Sequence, residues 1–235
     1  MELLRFFKRF RFVGLVILGL SIIIIAIFYT ALKPTAVLPV YQPAMVDPEL
    51  VDESIQYVKK YHTIAPFSMT NQNGETITAD DYDNAIYVAD FFFTTCPSIC
   101  PIMTKNMYAL QQKLSPYPDV KLLSFSVTPE IDSVAQLKGY AIENKVDDKR
   151  WNLVTGNKRE IYELARKSYL VVKDNGDGGP HDMIHTENFV LIDAKKRIRG
   201  YYDGTELSSI ESIIKDINIL ANEKWKKSCQ ICNYN

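Results

Sequence analysis

Twenty-one consecutive uncharged residues, FVGLVILGLSIIIIAIFYTAL from Phe12 to Leu32, constrain this chain more than any other feature. A helix of that length spans about 30 Å, the thickness of a bilayer's hydrocarbon layer. A cleaved signal sequence would have a shorter apolar core, about 7–15 residues, and a small-x-small cleavage site. Neither is present, so the span is expected to remain as a membrane anchor. No cysteine directly follows it, which leaves lipid attachment there without an acceptor. Arg5, Lys8, Arg9 and Arg11 precede the span, and Lys33 alone follows closely. Because basic residues favour the cytoplasmic side, the order predicts a single-pass protein of the plasma (inner) membrane. Residues 1–11 would be a cytoplasmic basic segment, 12–32 the transmembrane anchor, and all that follows extracytoplasmic (periplasmic).

Residues 1–33 carry a net charge of +4 and the remainder −5, within a total of −1. The outer part therefore lacks the basic excess of a nucleic-acid-binding protein. Four prolines and little periodicity over residues 33–56 predict an extended linker. Residues 57–227 then alternate strand and helix signals. A hairpin is expected over 61–78 around Asn73-Gly74, and buried strands over 86–93 and 120–127, where apolar residues run almost unbroken. Helices are expected over 103–114, 133–144, 158–169 and 207–225. A short strand at 151–154 and a strand pair at 188–193 and 198–202 complete the set. The pattern predicts an α/β fold, a mixed sheet flanked by helices. Residues 228–235 are read as a tail carrying Cys229 and Cys232.

The other two cysteines stand in FFFTTCPSICPIM, each followed by proline. Residues before proline are pushed from helical angles, so Cys96 and Cys100 are expected in extended or turn conformations. Pro101 suits the first position of a helix, which puts Cys96 at a strand exit and Cys100 beside a helix N-terminus. There the helix dipole would favour the Cys100 thiolate, the form that attacks disulfides or binds metal. A structural disulfide or two inert core thiols fit the same spacing. Asp90, inside an apolar strand, reads either as a proton acceptor for a thiol or as a core acid satisfied by hydrogen bonds. Of the three histidines, His62 reads as a surface residue, while His181 and His185 precede the strand at 188. Two sulfurs and one imidazole from either would suit copper in both oxidation states.

FFFTTCPSICPIM, SVTPEIDSVAQLKGYA and IHTENFVLID together resemble the Sco/SenC family over roughly residues 60–225. These are membrane-anchored, thioredoxin-like copper chaperones of cytochrome oxidase assembly. The resemblance implies a thioredoxin-like domain that binds copper, Cu(I) or Cu(II), through Cys96, Cys100 and His185, with the two cysteines also a redox pair. His185 matches because it directly precedes Thr186 and the strand; His181 lies four residues too early. The implied partner is cytochrome c oxidase subunit II, or another respiratory oxidase, whose binuclear copper site receives the metal or has its cysteines prepared. An upstream copper donor or thiol reductant is implied too. Thr128 departs from the aspartate usual in that turn. The alternative function is a thiol–disulfide oxidoreductase acting on partner cysteines without metal delivery. A peroxidase would need an arginine near Thr94 and Thr95 that no motif supplies. Cys229 and Cys232, outside the resembling part, read as a second redox or copper-passing pair, or as idle thiols or a disulfide.

Overall fold

The two longest apolar strands become the centre of a sheet. In the computed structural model, which describes residues 2–32, 36–172, 183–184 and 186–232, β3 (Ile86–Phe92) and β4 (Val120–Ser126) pair in parallel, and β5 (Trp151–Thr155) continues the parallel run beside β4. On the far side of β3, β6 (Asn188–Ile192) and β7 (Ile198–Asp203) add antiparallel strands. On the far side of β5 comes the hairpin of β1 (Ser68–Asn71) and β2 (Thr76–Thr78), giving the order β2-β1-β5-β4-β3-β6-β7. Gly74 takes φ +78° in the hairpin turn, a conformation that a side chain would strain.

Alternation along β3 sorts the core into two layers. Tyr87, Ala89 and Phe91 join one cluster, with Phe67, Phe125 and Tyr169. Val88 and Phe92 join the other, with α2 (Ile99–Lys113), α3 (Val134–Glu143) and α5 (Leu207–Cys232), through Met103, Met107, Leu137, Ile213 and Ile217. Helix α4 (Lys158–Glu163) covers the first layer and runs into a wider turn over Leu164–Ser168, where Tyr169 N bonds back to Leu164 O at 2.8 Å. Asn157 and Ser133 start α4 and α3 by accepting the N–H of Glu160 and Gln136.

The chain divides into two units, Met1–Val37 and Leu38–Asn235. In the first, α1 (Glu2–Leu32) contains the window Phe12–Tyr29, of mean hydropathy 2.8 with no residue buried. Among the described residues it is the one helix long and apolar enough to cross a membrane.

Two boundaries differ from the sequence reading. Residues 38–51 form a strap packed on the domain, not part of an extended linker over 33–56. Arg199, 3% exposed, donates to Leu38 O and Pro39 O, both at 2.9 Å, and Tyr41 N bonds Ile198 O at 2.9 Å. The prolines start short 3-10 turns at Pro43–Met45 and Pro48–Leu50. Helix α5 continues to Cys232, so residues 228–232 are helical where a separate tail was expected. His62 is half-buried, its Nε2 2.8 Å from Ser168 O, where a surface residue was expected.

Candidate metal and redox site

At the end of β3 the chain leaves the sheet over residues 93–98 and enters α2. Helix α2 starts at Ile99, so Cys100 is helical, against the extended or turn conformation expected before Pro101. Pro101 is the third residue of the helix. Its missing N–H falls among the first four, which have no intrahelical acceptor in any case. Ser98 precedes the helix without a side-chain cap. The Cys96 sulfur fills that role by accepting the backbone N–H groups of Ser98 and Cys100.

This arrangement reverses the expected roles of the two thiols. Burial pushes the Cys96 thiol up, but the Ser98 and Cys100 N–H groups outweigh it, with help from the Cys100 and Ser98 side chains, and bring it down to about 7. Burial pushes Cys100 up to about 12; the Phe93 N–H opposes this, and the neighbouring Cys96 and Asp90 add to it. Cys96, not Cys100, is thus the thiolate near neutral pH. The helix N-terminus acts on the sulfur its N–H groups face, and both sulfurs are buried, Cys96 at 8% and Cys100 at 3% exposure. Both cysteines are free, and the Cys96 sulfur lies 3.8 Å from Ser98 Oγ.

Asp90 sits beneath the pair on the α2 side of β3, 2% exposed, its carboxylate bonded by the Ser124 hydroxyl. Trp151 Nε1 donates to the same Ser124 Oγ at 2.9 Å. Burial outweighs the Ser124 bond and raises the Asp90 pKa to about 7. Tyr140, packed 5.5 Å from the Phe92 ring, bonds Thr104 Oγ1 at 2.7 Å. An open groove of about 520 Å³ lined by Thr94, Pro101, Gln136 and Tyr140 borders the loop. A larger depression of about 600 Å³, lined by Pro129, Glu130 and residues 156–159, includes neither cysteine.

His181 and His185 lie outside the described residues. Strand β6 runs antiparallel to β3, so its first residues stand at the end of the sheet where β3 releases Cys96. Thr186 Oγ1 accepts the Asn188 N–H at 3.3 Å. Gly204 N bonds Glu187 O at 2.6 Å, and a Cβ at Gly204 would come within 2.8 Å of the Phe189 ring. Among the described residues no three His, Cys, Asp or Glu side chains form a group able to hold a metal; the two sulfurs are the described donors.

One residue that the sequence reading did not single out is central here. Asp132, 0% exposed, accepts from Thr94 N at 3.2 Å, Thr94 Oγ1 at 2.5 Å, Ser126 Oγ at 2.6 Å and Thr128 Oγ1 at 3.1 Å. A lone aspartate in a turn gives no periodic signal, and its partners come from two separate stretches of sequence, Thr94 on one side and Ser126 and Thr128 on the other.

A family model described as SCO1/SenC matches residues 56–222. The chain belongs to the SCO1/SenC family. It is 34% identical to the SCO1 protein homolog of Bacillus subtilis over 158 residues, 66% of this chain and 81% of that protein. Among solved structures it is similar to BsSco, a member of the Sco family of cytochrome c oxidase assembly proteins in which a disulfide switch was identified. That match has 34% identity and a TM-score of 0.59, and covers 68% of this chain and 93% of BsSco. A copper-bound ScoI of Arabidopsis thaliana matches at 25% identity and a TM-score of 0.53, over 66% of this chain and 97% of ScoI. The seven-stranded mixed sheet flanked by helices is the thioredoxin-like fold of these relatives.

Proposed function

We propose that this SCO1/SenC protein is a membrane-anchored, extracytoplasmic copper carrier that serves cytochrome c oxidase assembly, with subunit II as recipient. Cys96, Cys100 and His185 are the proposed ligands. The supporting observation is the pairing of one ready thiolate with one shielded thiol at the start of α2. Copper(I) prefers soft sulfur donors, and Cys96 offers its thiolate near neutral pH; Cys100 gives up its proton as the metal binds. The imidazole of His185 adds a harder donor, which extends the site to copper(II). The copper-bound Arabidopsis relative supports copper as the metal.

The same pair supports a second reading, favoured by the contrast between Cys96 at about 7 and Cys100 at about 12. In it, Cys96 attacks a partner's disulfide and Cys100 resolves the mixed disulfide, leaving Cys96 and Cys100 joined and two partner thiols reduced. The disulfide switch identified in BsSco is in keeping with that chemistry.

Copper uptake by the full chain in detergent tests the first reading. The reduced protein is expected to bind about one copper(I) per chain through soft ligands, and the Cys96–Cys100 disulfide form little. Equal loading of the two forms would contradict it.

A further inference from the structure

We infer that Asp132 is a positioning residue for the cysteine loop, acting through Thr94; the inference rests on the copper-carrier reading for its consequence, but not for its geometry. Thr94 stands two residues before Cys96, and both its N–H and its hydroxyl donate to the Asp132 carboxylate. The peptide group just before it carries Phe93 O, which accepts the Cys96 N–H at 3.3 Å, while the Phe93 N–H reaches the Cys100 sulfur. Asp132 therefore fixes the backbone from which both sulfurs are held. Its own position is fixed in turn. Ser126 at the end of β4 and Thr128 in the following turn donate to the same oxygen that takes the Thr94 N–H. Asp132 N bonds Thr128 O at 2.9 Å, and Val127 N bonds Phe92 O at 2.9 Å, which ties that turn to the end of β3. Gln136 of α3 adds a bond to Thr94 Oγ1 at 3.2 Å.

A buried carboxylate with four donors is costly to desolvate, and a smaller apolar residue could fill the turn without that cost. What the carboxylate supplies is a rigid link between the β4–α3 turn and the loop that presents Cys96. Partners of metal ligands that hold them in place are typically worth about 10–100-fold in metal affinity.

The test uses the full chain in detergent with Asp132→Ala, Asp132→Asn, Thr94→Val and Thr94→Ser, and Asp193→Asn as a control for lost stability. Asp193 is a buried carboxylate after β6, at the end of the sheet away from the cysteines. Two readouts are taken: copper(I) affinity by chelator competition, and amide hydrogen exchange of residues 93–100. Asp132→Ala and Thr94→Val should weaken copper(I) binding by about tenfold or more and speed exchange in the loop. Asp132→Asn should fall between Asp132→Ala and the native chain, and Thr94→Ser should recover most of what Thr94→Val loses. Asp193→Asn should lower stability yet leave copper affinity within about twofold, because its contacts do not reach the loop. If Asp132→Ala does not fold, the Thr94 pair carries the same comparison. Loop exchange and copper affinity that track stability alone, equally in Asp193→Asn and Thr94→Val, would overturn the inference. A native chain that binds no copper would sink the carrier reading, while the exchange arm would still score the positioning role.

Discussion

Ser124 donates its hydroxyl hydrogen to the carboxylate of Asp90 across the β3–β4 pair, where the two residues stand directly opposite each other. The bond only partly offsets burial, and the Asp90 pKa rises from 3.8 to about 7. The folded state therefore holds this proton more tightly than the unfolded state. The stability linked to Asp90 is fully present below about pH 4 and is lost as pH rises through about 7. Asp90→Asn should remove that dependence and raise the melting temperature at pH 8 relative to the native chain. Thermal unfolding of both proteins from pH 5 to pH 8 measures this; parallel curves would show that Asp90 does not titrate in that window.

Cys96 should be the reactive thiol. With its pKa brought to about 7, the rate of its alkylation should rise with pH and reach half its plateau near neutrality. Cys100, buried and pushed up to about 12, should react far more slowly. Peptide mapping after a brief pulse of iodoacetamide at pH 7 distinguishes them. Preferential label at Cys100 would restore the dipole argument made from sequence alone.

Arg199 should hold the strap to the domain. It pairs with Asp193 at 2.9 Å and Glu223 at 3.0 Å while donating to two strap carbonyls. Arg199→Met leaves Asp193 its pair with Arg197 but removes the bonds to Glu223 and to both strap carbonyls, which should cost about 1–3 kcal/mol. Limited proteolysis should then cut within residues 38–51 at protein concentrations and times that leave the native chain intact. A strap equally resistant in the variant would show that its apolar contacts suffice.

The central strands were legible because β3 and β4 are apolar on both faces, and the hairpin because Asn73-Gly74 marks its turn. Helix α3, expected over 133–144, spans Val134–Glu143. Three features were not legible, for physical reasons. Helix α2 starts ahead of Pro101, whose missing N–H has no intrahelical acceptor to lose in the first turn, and the steric bias against a helical residue before proline is overridden at Cys100. The strap is held by side-chain bonds to main-chain carbonyls, which leave no periodic trace. The thiol roles depended on which sulfur faces the helix N–H groups, a matter of loop geometry that C-P-x-x-C-P spacing does not encode. Asp132 leaves no trace in the sequence for a related reason: its donors at 94, 126 and 128 meet only once β3 and β4 are paired.

Copper(II) binding by His185→Ala, with His181→Ala as its companion, tests the carrier account most directly. Both are measured by electron paramagnetic resonance on the full chain in detergent. Losing the imidazole should leave a two-sulfur site that still takes copper(I), abolish the copper(II) signal, and stop oxidase assembly in cells. His181→Ala should change none of these. Reduction of a model disulfide should stay within about tenfold of the native rate in both, since it depends on the Cys96 thiolate and the leaving group. A copper(II) signal retained in His185→Ala, or lost in His181→Ala instead, would contradict the assignment.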